Sequence, residues 1–272
     1  THRATVTHVR LYRRLDLWIP RKNGKSEFLA ALGVLFFGLE RVPRNQAYVF
    51  GSNEEQGKVP FDKMRVMFEQ AAGLIEDQAG NRRIAFTAKS ITVRETGAVC
   101  TLLTGEPIGK HGRSPGVIVG DEIHEWRTRE LADTLTEGSG ARLQPIALFA
   151  STAGNKQARV GYEWFEESMA VMTGAKDDPT TLVVWFGVGE EDDWTDEATW
   201  RKANPSLGLT PTLDFLRGKY REMRGRPVQE ARFQCYYLNR WVDQVGGWLP
   251  KSRWDACAVG PEASTVRFNN TT

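Results

Sequence analysis

Apolar residues recur along the chain with two spacings, one typical of buried strands and one typical of helices. Short apolar runs that end in polar residues predict strands at residues 11–19, 46–52, 116–122 and 145–152, and a hairpin at 83–93. Longer segments with apolar positions three and four apart predict helices at 26–39, 61–75, 127–135 and 162–172. Strands that alternate with helices predict an α/β fold with a mostly parallel central sheet flanked by helices.

The composition changes after about Pro179, which suggests a second unit. The apolar stretch Leu182–Val188 leads into an acidic segment and then into several helical pieces. We therefore expect a core domain at residues 1–179 and a small C-terminal helical lid or linker subdomain at residues 180–254. The rest, residues 255–272, is expected to be a linker or a disordered tail.

Composition and charge exclude several classes of protein. The chain has 272 residues, 40% hydrophobic and 26% charged, which suits one large globular domain with a small appendage. Its net charge of +2 gives no general argument for binding nucleic acid or membrane. Three separated cysteines, Cys100, Cys235 and Cys257, fit reduced thiols better than a disulfide framework or a zinc site. Without a signal peptide or a run of ~20 apolar residues, we expect a soluble intracellular protein.

The segment PRKNGKS has the context of a phosphate-binding loop, because an apolar strand precedes it and a helix follows it. Lys25 is the expected ligand of the β- and γ-phosphates, and the Ser26 hydroxyl is an expected Mg²⁺ ligand. The first glycine of the usual motif is replaced by Ile19, a change that Pro20 at the strand exit makes tolerable. The alternative is a basic turn before a core helix. The predicted nucleotide-binding residues are Pro20, Arg21, Lys22, Asn23, Gly24, Lys25 and Ser26.

Two carboxylates follow the strand Val117–Gly120. Asp121 is the expected Mg²⁺ ligand, and Glu122 is the expected base that orients and deprotonates the attacking water. An Asp-Glu pair at a strand end is otherwise the start of a solvated helix. Its combination with the loop favours the catalytic interpretation.

A third polar pair ends the strand at 145–152. Ser151 and Thr152 could hydrogen-bond the Glu122 region or the γ-phosphate and so report whether the nucleotide is intact. The alternative is that they cap the following helix.

The chain resembles the large subunit of bacteriophage terminase, the motor that packages DNA into procapsids. The resemblance covers roughly residues 15–254 and rests on five strings in order. These are IPRKNGKSEFLAA, GVIVGDEIHEW, ARLQPIALFASTAGN, EEDDWTDEATWRKANPSLG and NRW.

This resemblance implies a P-loop NTPase fold of the RecA-like type, with ATP and Mg²⁺ bound by the residues named above. In that family the loop lacks the first glycine and carries an arginine where Arg21 stands, so Arg21 is expected beside the γ-phosphate. Ser151 and Thr152 match the family's coupling motif. Some relatives complete the site with an arginine from a neighbouring subunit, for which Arg113 is the candidate here, beside Lys110 and His111.

The resemblance also implies partners and a place of action. The partners are double-stranded DNA, the portal protein and the terminase small subunit. Copies of this chain are expected to form a ring on the portal in the host cytoplasm, with no membrane involved. The isolated chain is expected to be a monomer. Two features depart from the family: no adenine-contacting glutamine motif is evident before Leu15, and the nuclease domain, with its activity, is not expected after Trp248.

Two other functions stay open at this stage. The letters DEIH at residues 121–124 also match a DExH helicase box, although the chain after Thr152 is short for a second motor domain. A non-catalytic nucleotide- or DNA-binding module is the other alternative. The basic run from Arg217 to Arg226 is most simply a solvated face, and it is also the best candidate for contacting DNA or a neighbouring subunit.

Overall fold

The computed structural model describes residues 9–71, 73, 83–103 and 113–243. Within these residues, eight strands form one sheet in the order β3-β4-β5-β2-β6-β7-β1-β8. The strands are β1 (Arg14–Trp18), β2 (Gln46–Phe50), β3 (Ile84–Phe86), β4 (Ser90–Val93), β5 (Ala98–Leu102), β6 (Val117–Asp121), β7 (Ile146–Ser151) and β8 (Thr181–Trp185).

The sheet is mostly parallel, as the alternation of strands and helices predicts. Strands β5, β2, β6, β7, β1 and β8 run in the same direction, each paired in parallel with its neighbour. The predicted hairpin is formed by β3 and β4, which pair antiparallel, and β4 continues antiparallel onto β5. Strand β5 was not predicted, although its side chains alternate between buried and half-buried positions.

Seven α-helices lie in the described residues. They are α1 (Lys25–Val34), α2 (Glu54–Gln70), α3 (Glu130–Gly138), α4 (Arg159–Met172), α5 (Glu197–Ala203), α6 (Leu213–Met223) and α7 (Pro227–Leu238). Helix α1 passes into a π-helical turn at Leu35–Leu39.

Helix α2 begins at Glu54, earlier than the sequence pattern predicts. The side chain of Asn53 caps it by accepting a hydrogen bond from the Gln56 backbone N–H at 2.9 Å. Pro60, the residue before the predicted start at residue 61, lies inside the helix. The predicted end at Ile75 lies outside the described residues.

Helices cover both faces of the sheet. Helices α1 and α2 pack on one face, where Leu15 and Leu17 of β1 join a large apolar cluster. Helices α3 and α4 cover the other face, where Trp18 and Phe149 belong to a second cluster rich in aromatic rings. Burying each such side chain contributes about 1.5–3 kcal/mol to the free energy of folding, so the two layers fix the strand ends that carry the polar residues.

The chain after residue 179 contributes to the main sheet before it becomes helical. Strand β8 lies beyond the predicted boundary, yet it pairs along its whole length with β1. Helices α5, α6 and α7 then surround a third apolar cluster that contains Trp200, Leu216 and Phe233. The division into two domains stays a prediction. Among the described residues, no helix is long and apolar enough to cross a membrane.

Candidate nucleotide-binding site

The polar residues predicted to act together follow three adjacent strands. In the sheet, β6, β7 and β1 are neighbours and run parallel, with Trp18 opposite Ser151 and Ala150 opposite Asp121. Their carboxyl ends therefore lie at one edge of the sheet, the usual position of ligands in open α/β folds. The loop after β1, the carboxylates after β6 and the Ser-Thr pair at the end of β7 meet there.

The loop after β1 turns sharply into α1. Gly24 takes the cap position of α1 in the left-handed conformation, with φ of 73°, and a Cβ placed on it would meet no neighbouring atom within 4 Å. Lys22 also has a positive φ, of 71°. The first backbone N–H groups of α1 have no partners within the helix, and the helix dipole makes this end attractive to anions.

Lys25 and Ser26, the first two residues of α1, contact the carboxylates after β6. The ammonium of Lys25 is bonded to Asp121 Oδ1 and lies 3.0 Å from Glu122 Oε1. The Ser26 hydroxyl donates to Asp121 Oδ2 at 2.9 Å. Residues 96 positions apart are thus joined in one buried polar cluster, as the combination of the two motifs predicts.

The charges of this cluster stabilise one another. Burial alone lowers the pKa of Lys25, but the carboxylates of Asp121 and Glu122 outweigh it and raise that pKa above its ordinary value. Burial likewise raises the pKa of Glu122, whereas Lys25 and His124 lower it, to about 2. At neutral pH the lysine is therefore a cation and Glu122 is a carboxylate.

Backbone conformation brings both carboxylates to the same side. Residues along a strand point to opposite faces, but β6 ends at Asp121, and Glu122 is left-handed with φ of 56°. The Glu122 N–H donates to Asp121 Oδ1 at 2.9 Å, and the Trp126 indole N–H donates to Asp121 O at 2.9 Å. This turn directs Glu122 toward Lys25 beside Asp121.

Ser151 and Thr152 link the other two strands of the site. The Ser151 hydroxyl lies 3.0 Å from His124 Nδ1 and accepts from the His124 backbone N–H at 3.0 Å. His124 Nδ1 is also 3.2 Å from Glu122 Oε2. The Thr152 hydroxyl donates to Ile19 O at 3.1 Å, at the start of the phosphate loop. His124, which the sequence did not single out for this role, is the side chain that joins Ser151 to Glu122.

The structure places the two candidate arginines away from these carboxylates. The Arg21 guanidinium lies 3.7 Å from the centre of the Tyr236 ring in α7. Arg113 precedes β6, at the opposite edge of the sheet from Asp121, and lies 4.8 Å from the Tyr48 ring centre. Lys110 and His111 lie outside the described residues.

The remaining loop residues contact the helices after β8. Asn23 is buried and donates to Pro20 O at 3.2 Å and to Asn204 Oδ1 at 2.7 Å. Lys22 is exposed, and its carbonyl accepts from the Thr210 hydroxyl at 2.9 Å. Asn204 belongs to the string ANPSLG, which supported the family resemblance but was not assigned a role in the site.

Comparison with known families identifies the family of this chain. A sequence model of the family "Terminase large subunit, ATPase domain" matches residues 3–168, more than half of the chain. The chain belongs to the terminase large subunit family and has the fold of its ATPase domain. A second family sequence model, "Terminase large subunit, endonuclease domain", matches residues 176–267. The expectation that the nuclease part is missing from this chain is therefore not confirmed.

The matches to individual relatives cover different shares of the chain. Protein YmfN of Escherichia coli (strain K12) is 30% identical over 146 residues, which are 54% of this chain and 32% of that protein. The terminase large subunit of Enterobacteria phage HK97 is 25% identical over 249 residues, 90% of this chain and 47% of that protein. The chain thus spans about a third of the length of the first relative and about half of the length of the second.

Solved structures show the same fold. The HK97 large terminase crystal structure superposes with a TM-score of 0.72 at 24% identity, covering 90% of this chain and 50% of that one. The large terminase of a thermophilic bacteriophage, in complex with ATP-gamma-S, superposes with a TM-score of 0.56 at 13% identity, covering 85% and 48%.

Proposed function

We propose that this chain hydrolyses ATP as the motor part of a terminase that moves double-stranded DNA into a procapsid. The observation that carries the proposal is the meeting of Lys25, Ser26, Asp121 and Glu122 at the carboxyl edge of parallel strands. These four side chains supply, in one place, the phosphate contact, the metal ligands and the base that phosphoryl transfer to water requires.

The phosphates of ATP are proposed to occupy the concave side of the loop at residues 20–24. Backbone N–H groups and the N-terminus of α1 offer a site for an anion, and the open space around Gly24 lets a phosphate approach the backbone. Lys25 then exchanges its carboxylate partners for phosphate oxygens. Glu122 loses its closest cation in the same exchange, which leaves its carboxylate available to a water molecule.

The donor set also fits Mg²⁺. Proteins commonly hold this ion through one or two oxygens while phosphates and waters complete its shell. Ser26 Oγ and Asp121 Oδ2, 2.9 Å apart, offer such a pair. Held there by Ser26 and Asp121, Mg²⁺ would supply positive charge to balance the negative charge that develops on the transferred phosphoryl group.

In the proposed reaction, a water oxygen attacks the γ-phosphorus in line with the bond to the leaving ADP oxygen. Glu122 orients this water and accepts its proton, while the P–O bond to ADP breaks and inorganic phosphate forms. The loop N–H groups and Lys25 stabilise the charge on the three equatorial oxygens. Arg21 is proposed to leave Tyr236 and add a further positive charge there.

Ser151 and Thr152 are proposed to couple hydrolysis to movement. Ser151 touches His124, which contacts Glu122, and Thr152 holds the start of the loop. A change at the γ-phosphate therefore reaches β7 through direct contacts. We extend the proposal to the family's partners: DNA, the portal protein and the small subunit, in a ring in the host cytoplasm, with residues 180–254 as a lid or linker.

Replacement of the loop lysine tests this proposal. Lys25→Ala removes the charge-assisted contact to the phosphates, so ATP binding should weaken and phosphate release should fall to background. Lys63→Ala is the matched control, because Lys63 pairs with Glu27 on the helix surface instead. Unchanged hydrolysis in Lys25→Ala protein would contradict the proposal, and tight nucleotide binding with no wild-type hydrolysis would favour a non-catalytic module.

A further inference from the structure

The phosphate loop is held by helices that follow the last strand. We call residues 197–238, which contain α5, α6 and α7, the helical region. Three consecutive loop residues bond to it. The Arg21 N–H donates to Tyr236 O at 2.8 Å, the Lys22 carbonyl accepts from Thr210, and Asn23 pairs with Asn204.

Asn23 shapes the loop from inside. Its side-chain amide donates to Pro20 O at 3.2 Å and to Arg21 O at 3.3 Å, and its Oδ1 accepts from the Ser206 N–H at 3.2 Å. Because the C=O and N–H of a trans peptide point in opposite directions, a fixed Arg21 carbonyl also fixes the direction of the Lys22 N–H. The orientation of Asn23 therefore sets the direction of the Lys22 N–H in the loop.

Asn204 in turn fixes Asn23. Its Oδ1 accepts from Asn23 at 2.7 Å, and its NH₂ group donates to Trp200 O at 2.9 Å and to Tyr237 O at 2.8 Å. Both amide hydrogens and the oxygen are used, so the partners determine which way the amide faces. Both asparagines are buried, with exposures of 6% and 2%. Losing one partner leaves a buried polar group without a hydrogen bond.

We propose that Asn204 is a positioning residue for the phosphate loop, and that the helical region senses through it whether nucleotide is bound. The inference rests on the proposed function, since it assigns the phosphates to this loop. When phosphates draw the loop N–H groups toward them, the hydrogen bond from Asn23 to Asn204 transmits the movement of the loop. Asn204 is bonded to carbonyl groups near the ends of α5 and α7, so both helices receive that change directly.

Nucleotide affinity measured by calorimetry tests the positioning role. Asn204→Ala should weaken binding of ADP and of a non-hydrolysable ATP analogue about tenfold, by the scale of a buried unsatisfied group. Asn23→Ala should lose at least as much. The double variant should lose no more than Asn23→Ala alone, because the two residues share one bond. Thr210→Val, at an exposed position, removes only the bond to Lys22 and should cost about threefold even if Asn204→Ala fails to fold.

Asn239→Gly is the matched control. Asn239 is as buried as Asn204 and bonds to Ala153 N–H and Phe186 O, but it does not touch the loop. Glycine suits its left-handed backbone, with φ of 54°. This variant should unfold at lower urea than wild type and keep its nucleotide affinity. Equal losses of affinity in Asn239→Gly and Asn204→Ala, or losses that multiply in the Asn23 and Asn204 double variant, would overturn the positioning role.

Hydrogen exchange tests the sensing role. In wild-type protein, ADP should slow amide exchange in the loop and also at residues 204–210 and 234–238. In Asn204→Ala at saturating ADP, the protection should be confined to the loop. The same ADP-dependent protection of residues 204–210 in both proteins would overturn it. Lys25→Ala distinguishes failure of this inference from failure of the proposed function. If Lys25→Ala protein bound ADP as tightly as wild type, the assignment of the phosphates to this loop would be wrong.

Discussion

At the scale of single residues, two cationic side chains of the candidate site contact other protein groups. Lys25 lies between Asp121 and Glu122, and Arg21 lies on the Tyr236 ring. Arg21 belongs to the phosphate loop and Lys25 follows it directly, and we propose that nucleotide phosphates replace these protein contacts. We propose that ATP binds by an exchange of partners in which the buried charges keep a counter-charge throughout, as buried ions require.

Arg21 is expected to act on turnover more than on binding of the product. Arg21→Ala removes a charge that would meet the γ-phosphate, a group that ADP lacks, so turnover should fall roughly 100-fold while ADP affinity changes little. Steady-state kinetics and ADP titration measure the two effects. Tyr236→Phe keeps the ring under the guanidinium and serves as the control. Equal losses in turnover and ADP affinity would make Arg21 a structural residue of the loop.

At the scale of elements, the end of β6 depends on close packing at Gly120. A Cβ placed there would come within 2.7 Å of Phe149 and 2.9 Å of Trp126. Both rings are buried, so neither can move freely.

Gly120→Ala should therefore destabilise the fold by about 1–3 kcal/mol, seen as a lower urea midpoint. Gly140→Ala is the control, because a Cβ at Gly140 meets nothing within 4 Å. That control should stay within about 0.5 kcal/mol of wild type. Matching midpoints for Gly120→Ala and wild type would show that the packing around β6 is loose.

Elements whose whole pattern lies within one short stretch of sequence could be predicted. The strands that end in Asp121 and Ser151 are short apolar runs, and the residues beyond them are polar, so both the sheet and the meeting of Lys25 with Asp121 could be inferred. The start of α2 was missed because Asn53, an ordinary polar residue in the sequence, caps the helix.

Contacts between distant parts of the chain could not be inferred in the same way. Asn23 and Asn204 are 181 residues apart, and nothing in either local pattern indicates that one amide faces the other. The pairing of β8 with β1 was missed for the same reason, since a composition change near Pro179 suggested a boundary where the sheet continues. Arg113 was named from its position before β6, and its side chain lies at the other edge of the sheet.

At the scale of the whole molecule, no arginine of the described residues is seen in contact with Asp121 or Glu122. Arg113 precedes the first residue of β6 and Asp121 is its last, so the length of the strand, at about 3.3 Å per residue, separates them. Arg113 therefore cannot serve the site of its own chain in this conformation. A role for Arg113 in the site of a neighbouring copy stays a prediction.

The isolated protein is expected to be a slow, monomeric ATPase whose specific activity rises with protein concentration. Arg113→Ala should lower turnover in the assembled state, by up to about 10³-fold for a trans-acting arginine, with little change in nucleotide affinity. Mixing Arg113→Ala with Glu122→Gln protein should restore some activity. Arg159→Ala, an exposed arginine paired with Glu163, is the control. Activity strictly proportional to concentration, with no loss in Arg113→Ala, would show that the site is complete within one chain.

Phosphate release by Glu122→Gln protein at saturating Mg-ATP tests the central claim most directly. Glutamine keeps the size of the side chain and a hydrogen bond but cannot accept the proton of the attacking water. The variant should bind Mg-ATP with wild-type affinity and turn over at least ~100-fold more slowly. Wild-type turnover in Glu122→Gln would contradict the role assigned to Glu122. If Glu122→Gln instead lost Mg-ATP binding while Asp121→Asn kept the Mg²⁺ dependence of the wild type, the roles assigned to the two carboxylates would be contradicted.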